Sequence, residues 1–198
     1  MDDTEYFDQH SVNGHGDGAL DERDGRTHRA LLPSGPPAPG RLTILACPGV
    51  LCPHLEFAVA AVLETPVSLA WTAQPERPGA LCAELEYVAP AGAAEALVAR
   101  LRTLNVVTFE VVEGAVAGAD AHRYCFEPDL GVHHAVLASN GDVVIPEGPL
   151  RALLGRARDG AAVAQGLSRL LGDAWDTVLD PLRVGGDGAP VSWLRRTG

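Results

Sequence analysis

Apolar and polar residues alternate most regularly in ALCAELEYV, residues 80–88. Successive side chains of a strand point to opposite faces of a sheet. The pattern therefore predicts a strand with Leu81 and Leu85 on one face and Glu84 and Glu86 on the other. One face of this strand is suited to a hydrophobic core, and the opposite face is suited to water.

Two segments with helical spacing flank this strand. PHLEFAVAAVLE, residues 53–64, opens with a proline, which the first turn of a helix tolerates. PAGAAEALVARLRTL, residues 90–104, repeats apolar residues every three or four positions. The apolar stretches RLTILAC, VSLAWT and VVTFEVVEG predict three further strands.

The order strand, helix, strand, strand, helix, strand predicts an α+β fold. It is the order of a ferredoxin-like split βαβ layer, here over residues 41–113. Such a layer has four antiparallel strands and carries both helices on one face of the sheet. The helix-facing side is expected to hold Val107 and Phe109 together with Leu81 and Leu85.

The remaining third of the chain predicts a β-hairpin followed by helices. Asn140-Gly141 is a strong two-residue turn signal and joins VHHAVLA to DVVIP. Apolar residues at helical spacing predict three helices between residues 149 and 182, and APVSWLRR, residues 189–196, predicts a last strand. We expect a single α+β domain over residues 41–198, with a ferredoxin-like half at 41–114 and a hairpin-plus-helical half at 121–198.

Residues 1–40 have a different composition from the rest of the chain. They contain eight acidic residues against three arginines, few apolar residues and a closing LLPSGPPAPG. Such a segment buries too little apolar surface to offset the entropy lost on ordering. It is predicted to be a disordered acidic tail.

Charge excludes several classes of function. The net charge of the 198-residue chain is -11, which disfavours binding to nucleic acid. The chain contains no lysine, so neither a Schiff-base lysine nor a phosphate-loop lysine is available.

No apolar run approaches the roughly 18 to 20 residues of a membrane span. The acidic N-terminus does not resemble a signal peptide, so we expect a cytoplasmic protein with four reduced cysteines.

The best candidate chemistry lies in EPDLGVHHAVLASNGDVVIPE, residues 127–147. His133 and His134 are neighbours on a predicted strand, so they point to opposite faces and cannot both bind one ion without a bulge. Either histidine could pair with Asp129 or Asp142 as an oriented general base. No GxSxG nucleophile elbow is present, however, and a turn with polar decoration or a ligand contact explains the segment as well.

A second candidate is the sheet face opposite the helices, where Glu84, Glu86 and Glu110 predict an open acidic surface. Together with Asp129, His133 and His134, these residues are the candidates for contacts with a ligand or a partner. Cys52, at the start of the first helix, could be a reactive thiol only if it is exposed. The sequence predicts neither a metal site nor a cofactor.

Several long stretches, taken together, resemble the DUF3145 family of actinobacterial proteins. They are LCPHLEFAVAAVL, VSLAWTAQPERPGALCAELEY, RYCFEPDLGVHHAVLASNGDVVIPE and GDAWDTVLDPLRVGGDGAPVSWL, spread over residues 42–195. The resemblance implies a soluble single-domain protein of unknown function. Family members are sometimes encoded near fatty-acid synthesis genes, which implies a role beside acyl-carrier or acyl-CoA metabolism. The acidic tail is an extension beyond the family's usual start.

Two hypotheses of function follow. The preferred one is a binding or regulatory protein that docks a protein partner or a small metabolite, because no complete catalytic constellation is present. The alternative is an enzyme that acts on a thioester or a similar small substrate, with His133 or His134 as general base.

Overall fold

A computed structural model describes residues 35–184, which form an antiparallel seven-stranded sheet with helices. The strand order is β2-β3-β1-β4-β5-β6-β7, so the α+β class is confirmed. The predicted acidic tail up to residue 34 and the predicted last strand at residues 189–196 lie outside the described residues. The elements are β1 (Pro37–Pro48), α1 (Cys52–Leu63), β2 (Thr72–Ala73), β3 (Ala80–Pro90), α2 (Ala93–Leu101), β4 (Thr108–Glu113), β5 (Ala121–Glu127), β6 (Gly131–Leu137), β7 (Val143–Val144), α3 (Glu147–Arg156), α4 (Gly160–Leu171) and α5 (Asp173–Val184).

β1 begins before the predicted domain boundary at residue 41. Pro37 to Gly40 pair with the end of β3, and Ala38 is buried. β4 pairs with β1 only from Gly40 onward, and just beyond the ladder the N–H of Gly114 donates to the Pro39 carbonyl, at 2.7 Å. Proline is tolerated there because its missing N–H removes no ladder hydrogen bond. β1 therefore starts inside the segment that composition assigned to the tail.

α1 and α2 pack on one face of the sheet and form the main core. Leu55 of α1 and Leu97 of α2 are fully buried against Leu42 and Phe109. Phe109 also stacks on Phe126 of β5, with ring centroids 5.2 Å apart. The predicted helix-facing residues Leu81, Leu85 and Val107 also belong to this core.

β2 is much shorter than the strand that VSLAWT predicted. Its ladder with β3 covers only Thr72 and Ala73. Just before it, the N–H of Leu69 and the indole N–H of Trp71 both donate to Oε1 of Glu56 on α1, at 2.8 and 3.0 Å. These bonds draw the chain toward the helix layer, away from the edge of β3.

α5 covers part of the opposite face of the sheet. Leu179 and Leu182 pack on Leu45 of β1 and Cys125 of β5. At one end of α5 the indole of Trp175 donates to the carbonyl of Gly131, at 3.0 Å. At the other end Nε2 of the buried Gln74 donates to the carbonyls of Leu45 and Leu182. The helix is thus fixed to the sheet at both ends.

The Asn-Gly hairpin is present, but its loop has three residues. Ala138 and Asp142 close it, and only Gly141 takes a positive φ, of 87°. A two-residue type I′ turn would need positive φ at both Asn140 and Gly141. The side chain of Asn140 instead bonds to Asp142 twice: its Nδ2 donates to the Asp142 carboxylate, and its Oδ1 accepts from the Asp142 backbone N–H.

Within the described residues no helix is long and apolar enough to cross a membrane.

Candidate functional site

Glu110 does not lie on an open acidic face, so that prediction is wrong. Its side chain is 9% exposed because α5 lies over it, and its Oε2 accepts from Nη2 of Arg183 at 2.6 Å. Asp176 of α5 then joins Arg183 to Arg123 of β5, at 3.2 and 3.3 Å. Burial alone would lower the pKa of Arg183, but the Glu110 carboxylate raises it. Glu110 is therefore part of the contact that holds α5 on the sheet.

Glu84 and Glu86 are the part of the predicted acidic surface that does face solvent. Both form ion pairs with Arg41 on the neighbouring strand β1, at 3.1 and 3.0 Å, and Glu86 also accepts a hydrogen bond from it. Arg41 offsets only one of the two carboxylates, so the trio keeps one negative charge. These residues remain candidates for contact with a partner.

His133 lies on the same face of the sheet as Glu110, beneath the turn between α4 and α5. It is 8% exposed, its Nε2 lies 3.3 Å from the carbonyl of Leu170, and its ring centroid lies 5.0 Å from that of Trp175. Burial lowers its pKa, Arg123 lowers it further, and the Leu170 carbonyl and Asp176 oppose the shift. The side chain is thus placed as a packing residue of the α4–α5 turn.

His134 points to the other face, as the strand pattern predicted, and meets two residues that sequence reasoning missed. Its Nε2 lies 3.0 Å from Nδ1 of His122, and its ring stacks on Tyr124 at a centroid distance of 4.5 Å. Burial and the neighbouring His122 lower the pKa of His134. The register of β5 against β6, in which Tyr124 pairs with His134, is the signal that could have identified this cluster.

Asp129 is not brought to either histidine. It lies exposed in the turn between β5 and β6, where its backbone N–H donates to Oε2 of Glu127 at 2.7 Å. Among the hydrogen bonds of residues 35–184, none joins the Asp129 carboxylate to His133 or His134. The predicted pairing of histidine with carboxylate is therefore absent from this part of the chain.

The cysteines are poor candidates for a nucleophile. All four are free and buried. Burial raises the pKa of the Cys47 thiol to about 12 and also raises that of Cys52. Cys52 is 7% exposed, so the condition for a reactive thiol at the start of α1 is not met. Within residues 35–184 no group of three or more His, Cys, Asp or Glu side chains could hold a metal ion.

The feature that sequence reasoning missed altogether is a groove of about 880 Å³ over the sheet. It lies on the face that α5 partly covers. Its floor includes Arg41, Glu86 and Val112, which form one row across β1, β3 and β4, next to the row that contains Glu110. The other lining residues are Pro39, Gly40, Tyr87, Val88, Gly114, Ala115, Ala121, Leu137, Ala138, Ser139, Asn140 and Gly141.

The lining of the groove is mostly apolar and includes a few polar groups. Val88 of β3, Val112 of β4 and Leu137 of β6 supply branched apolar side chains. The polar groups are the paired Arg41 and Glu86, on β1 and β3, and Ser139 and Asn140 in the hairpin loop. Apolar pockets with a few placed polar groups, of about 300 to 1,000 Å³, are typical of sites for small molecules.

Comparison with known proteins identifies the family. No curated protein and no solved structure matched the chain. A family model described as "Protein of unknown function (DUF3145)" matches residues 41–196, most of the chain. The match covers all the helices and the whole sheet apart from the first residues of β1. It also covers every residue that lines the groove apart from Pro39 and Gly40. The chain therefore belongs to the DUF3145 family.

Proposed function

We propose that the protein is a non-catalytic binding protein for a small metabolite with an acyl chain, which it holds in the groove over the sheet. The observation that carries the proposal is the groove itself, with a volume of about 880 Å³ and a mostly apolar lining. An acyl chain is long, narrow and apolar, and it gains free energy by leaving water. The link to acyl metabolism that the family resemblance implies agrees with this choice.

The charge around the groove favours a neutral head group. Arg41 is the one basic residue among the groove's lining residues, and its guanidinium already binds Glu86 in the lining and Glu84 beside it. A free fatty acid would therefore meet no unpaired cation there. A thioester carbonyl needs only a hydrogen-bond donor, and Ser139 and Asn140 are lining residues. The candidate donors are the Ser139 hydroxyl and the second N–H of the Asn140 side-chain amide, which already donates to Asp142.

The enzyme hypothesis, with His133 or His134 as base, has less support. His133 is packed under the α4–α5 turn, and His134 points to the opposite face of the sheet from the groove floor. Neither histidine is among the groove's lining residues. A general base must lie within hydrogen-bond reach of the proton that it removes.

The ferredoxin-like description of residues 41–113 also stays a proposal, supported by the strand order β2-β3-β1-β4.

The test is a chain-length series of neutral acyl thioesters. We would titrate butanoyl, hexanoyl and octanoyl thioesters of N-acetylcysteamine into the protein by calorimetry, with the matching free acids for comparison. Each buried methylene contributes about 0.8 kcal/mol, so affinity is expected to rise about fourfold per methylene until the groove is filled. The free acids are expected to bind more weakly than thioesters of the same length.

A pair of matched variants locates the binding. Val88 lines the groove and is 73% exposed, so Val88→Glu places a charge at the site without emptying the core. Val106, which is 52% exposed and lies outside the lining, provides the control Val106→Glu. Val88→Glu is expected to weaken octanoyl thioester binding roughly tenfold or more. Affinity that ignores chain length, or that falls equally in both variants, would refute the proposal.

A further inference from the structure

β3 has one long edge without a strand partner among the described residues. On its inner side it pairs with β1 from Ala80 to Pro90. On its outer side β2 pairs only with Leu81 and Cys82. The outer backbone groups from Glu84 to Pro90 have no ladder partner within residues 35–184. The unpaired part of this edge is seven residues long, whereas the ladder with β2 covers two residues of β3.

The path of the segment before β2 explains why this edge has no further ladder partner within residues 35–184. The chain before β2 would have continued along β3, but the N–H of Leu69 and the indole of Trp71 bond instead to Glu56 on α1. An exposed row of unpaired N–H and C=O groups is a template for another strand. Proteins commonly protect such edges with charged side chains, especially lysine, with proline or with a bulge. The only proline of β3 is its last residue, Pro90, and the charged side chains on this edge are Glu84 and Glu86. Two carboxylates disfavour an acidic strand but not a basic one.

Side chains along the edge indicate what kind of strand would fit. Glu84, Glu86 and Val88 share one face, because they are two residues apart along the strand. Their side chains are 45%, 76% and 73% exposed. Arg41 contacts both carboxylates from the inner side, which leaves one excess negative charge beside the free edge. A basic residue on an added strand would lie directly beside each glutamate.

We infer that the outer edge of β3, from Glu84 to Val88, binds an extended segment of a partner protein in which basic and apolar residues alternate. Backbone bonds to the edge supply affinity, and contacts with the two glutamates set the register. A second copy of this chain is a poorer occupant. Antiparallel pairing about Leu85 would place Glu84 of one copy opposite Glu86 of the other, and like charges directly opposite each other are destabilising.

The inference goes beyond the acyl-binding proposal, and the two fail separately. Glu86 and Val88 belong both to the groove lining and to the edge, so the two tests are separated by what they measure. The acyl test measures how thioester affinity depends on chain length, whereas the edge test measures whether binding requires the backbone N–H groups of the peptide. A protein that binds no thioester can still bind the peptide through its backbone, and the reverse also holds.

The experiment uses the full chain and an acetylated hexapeptide amide of alternating arginine and valine. NMR titration gives its Kd, and amide hydrogen exchange reports on backbone pairing. If the peptide binds as an added strand, it is expected to shift the resonances of residues 84–88. It is also expected to slow hydrogen exchange of those backbone amides in this segment that point away from β1. The same peptide with N-methyl groups on alternate residues keeps its charge but cannot complete the ladder, so it is expected not to bind the edge.

Matched variants separate register from general charge. Glu84→Gln with Glu86→Gln is expected to weaken binding roughly 2- to 30-fold, the sum of two cross-strand charge pairs. Glu64→Gln with Glu76→Gln removes the same charge from exposed positions elsewhere and is expected to leave Kd unchanged. The inference is overturned by equal binding of the N-methylated peptide, by equal weakening in both double variants, or by no binding. Dimerisation of the protein that strengthens in the Glu84→Gln, Glu86→Gln variant would also overturn it, in favour of a second copy.

Discussion

The contrast between Glu110 and Glu86 leads to a quantitative prediction. Both glutamates pair with an arginine at hydrogen-bond distance, at 2.6 and 3.0 Å. The exposed fractions of the two side chains are 9% and 76%. Replacing each by alanine therefore compares a buried ion pair with a surface one at similar geometry.

The expected losses differ several-fold. Removing one partner of a buried pair costs about 3–5 kcal/mol, because the other charge stays buried without compensation. Asp176 and Asp180 still contact Arg183 in the Glu110→Ala variant, so we expect the lower end, about 3 kcal/mol. A surface pair contributes about 0–1 kcal/mol, so Glu86→Ala is expected to cost less than 1 kcal/mol.

Urea unfolding followed by tryptophan fluorescence measures both losses, and Trp175 on α5 reports on the region in question. Replacing Glu110 and Arg183 together by methionine is expected to recover much of the stability, since a packed apolar pair often replaces a buried ion pair without loss. Equal losses from Glu110→Ala and Glu86→Ala would show that α5 does not bury Glu110, and the description of the second sheet face would then be wrong.

Three further predictions concern other parts of the structure. Burial lowers the pKa of His133, so below about pH 6.5 the unfolded chain binds a proton at this position more readily than the folded chain does. The free energy of unfolding should therefore fall as the pH drops below about 6.5, and His133→Leu should reduce that fall in the same urea titrations. Gly172 has φ +89° and a Cβ there would lie 2.6 Å from His133, whereas Gly118 has φ +86° and open space, so Gly172→Ala should lower the melting temperature more than Gly118→Ala. The four buried thiols should react with Ellman's reagent only after unfolding, and rapid reaction of the native protein would contradict their placement.

Local patterns were sufficient for the elements and for the main core. Alternation in β3 placed Leu81 and Leu85 correctly against α1 and α2, because the period of two is a property of the strand itself. The Asn-Gly signal located the hairpin, although not its loop length. The failure at VSLAWT has a specific cause. Glu56, more than ten residues earlier, accepts from the backbone N–H of Leu69 and from the indole of Trp71, and these bonds hold the segment before β2 against α1.

The second sheet face could not be predicted, because its coverage depends on a distant helix. In sequence, Glu110 alternates with apolar residues just as Glu84 and Glu86 do. Its partner Arg183 lies 73 residues later, and no local pattern reports which row of the sheet that helix will cover. The groove could not be predicted either, because its lining includes residues of β1, β3, β4 and the β6–β7 loop, which only the sheet topology brings together. The pair of His122 and His134 required the register of two strands.

The most direct test of the central claim is the position of a bound acyl chain. We would record intermolecular nuclear Overhauser effects between an octanoyl thioester of N-acetylcysteamine and the methyl groups of the protein. The account predicts contacts from the chain to Val88, Val112 and Leu137, which line the groove. Contacts to exposed apolar side chains elsewhere, such as Phe57 on α1, with none to these three residues, would contradict it.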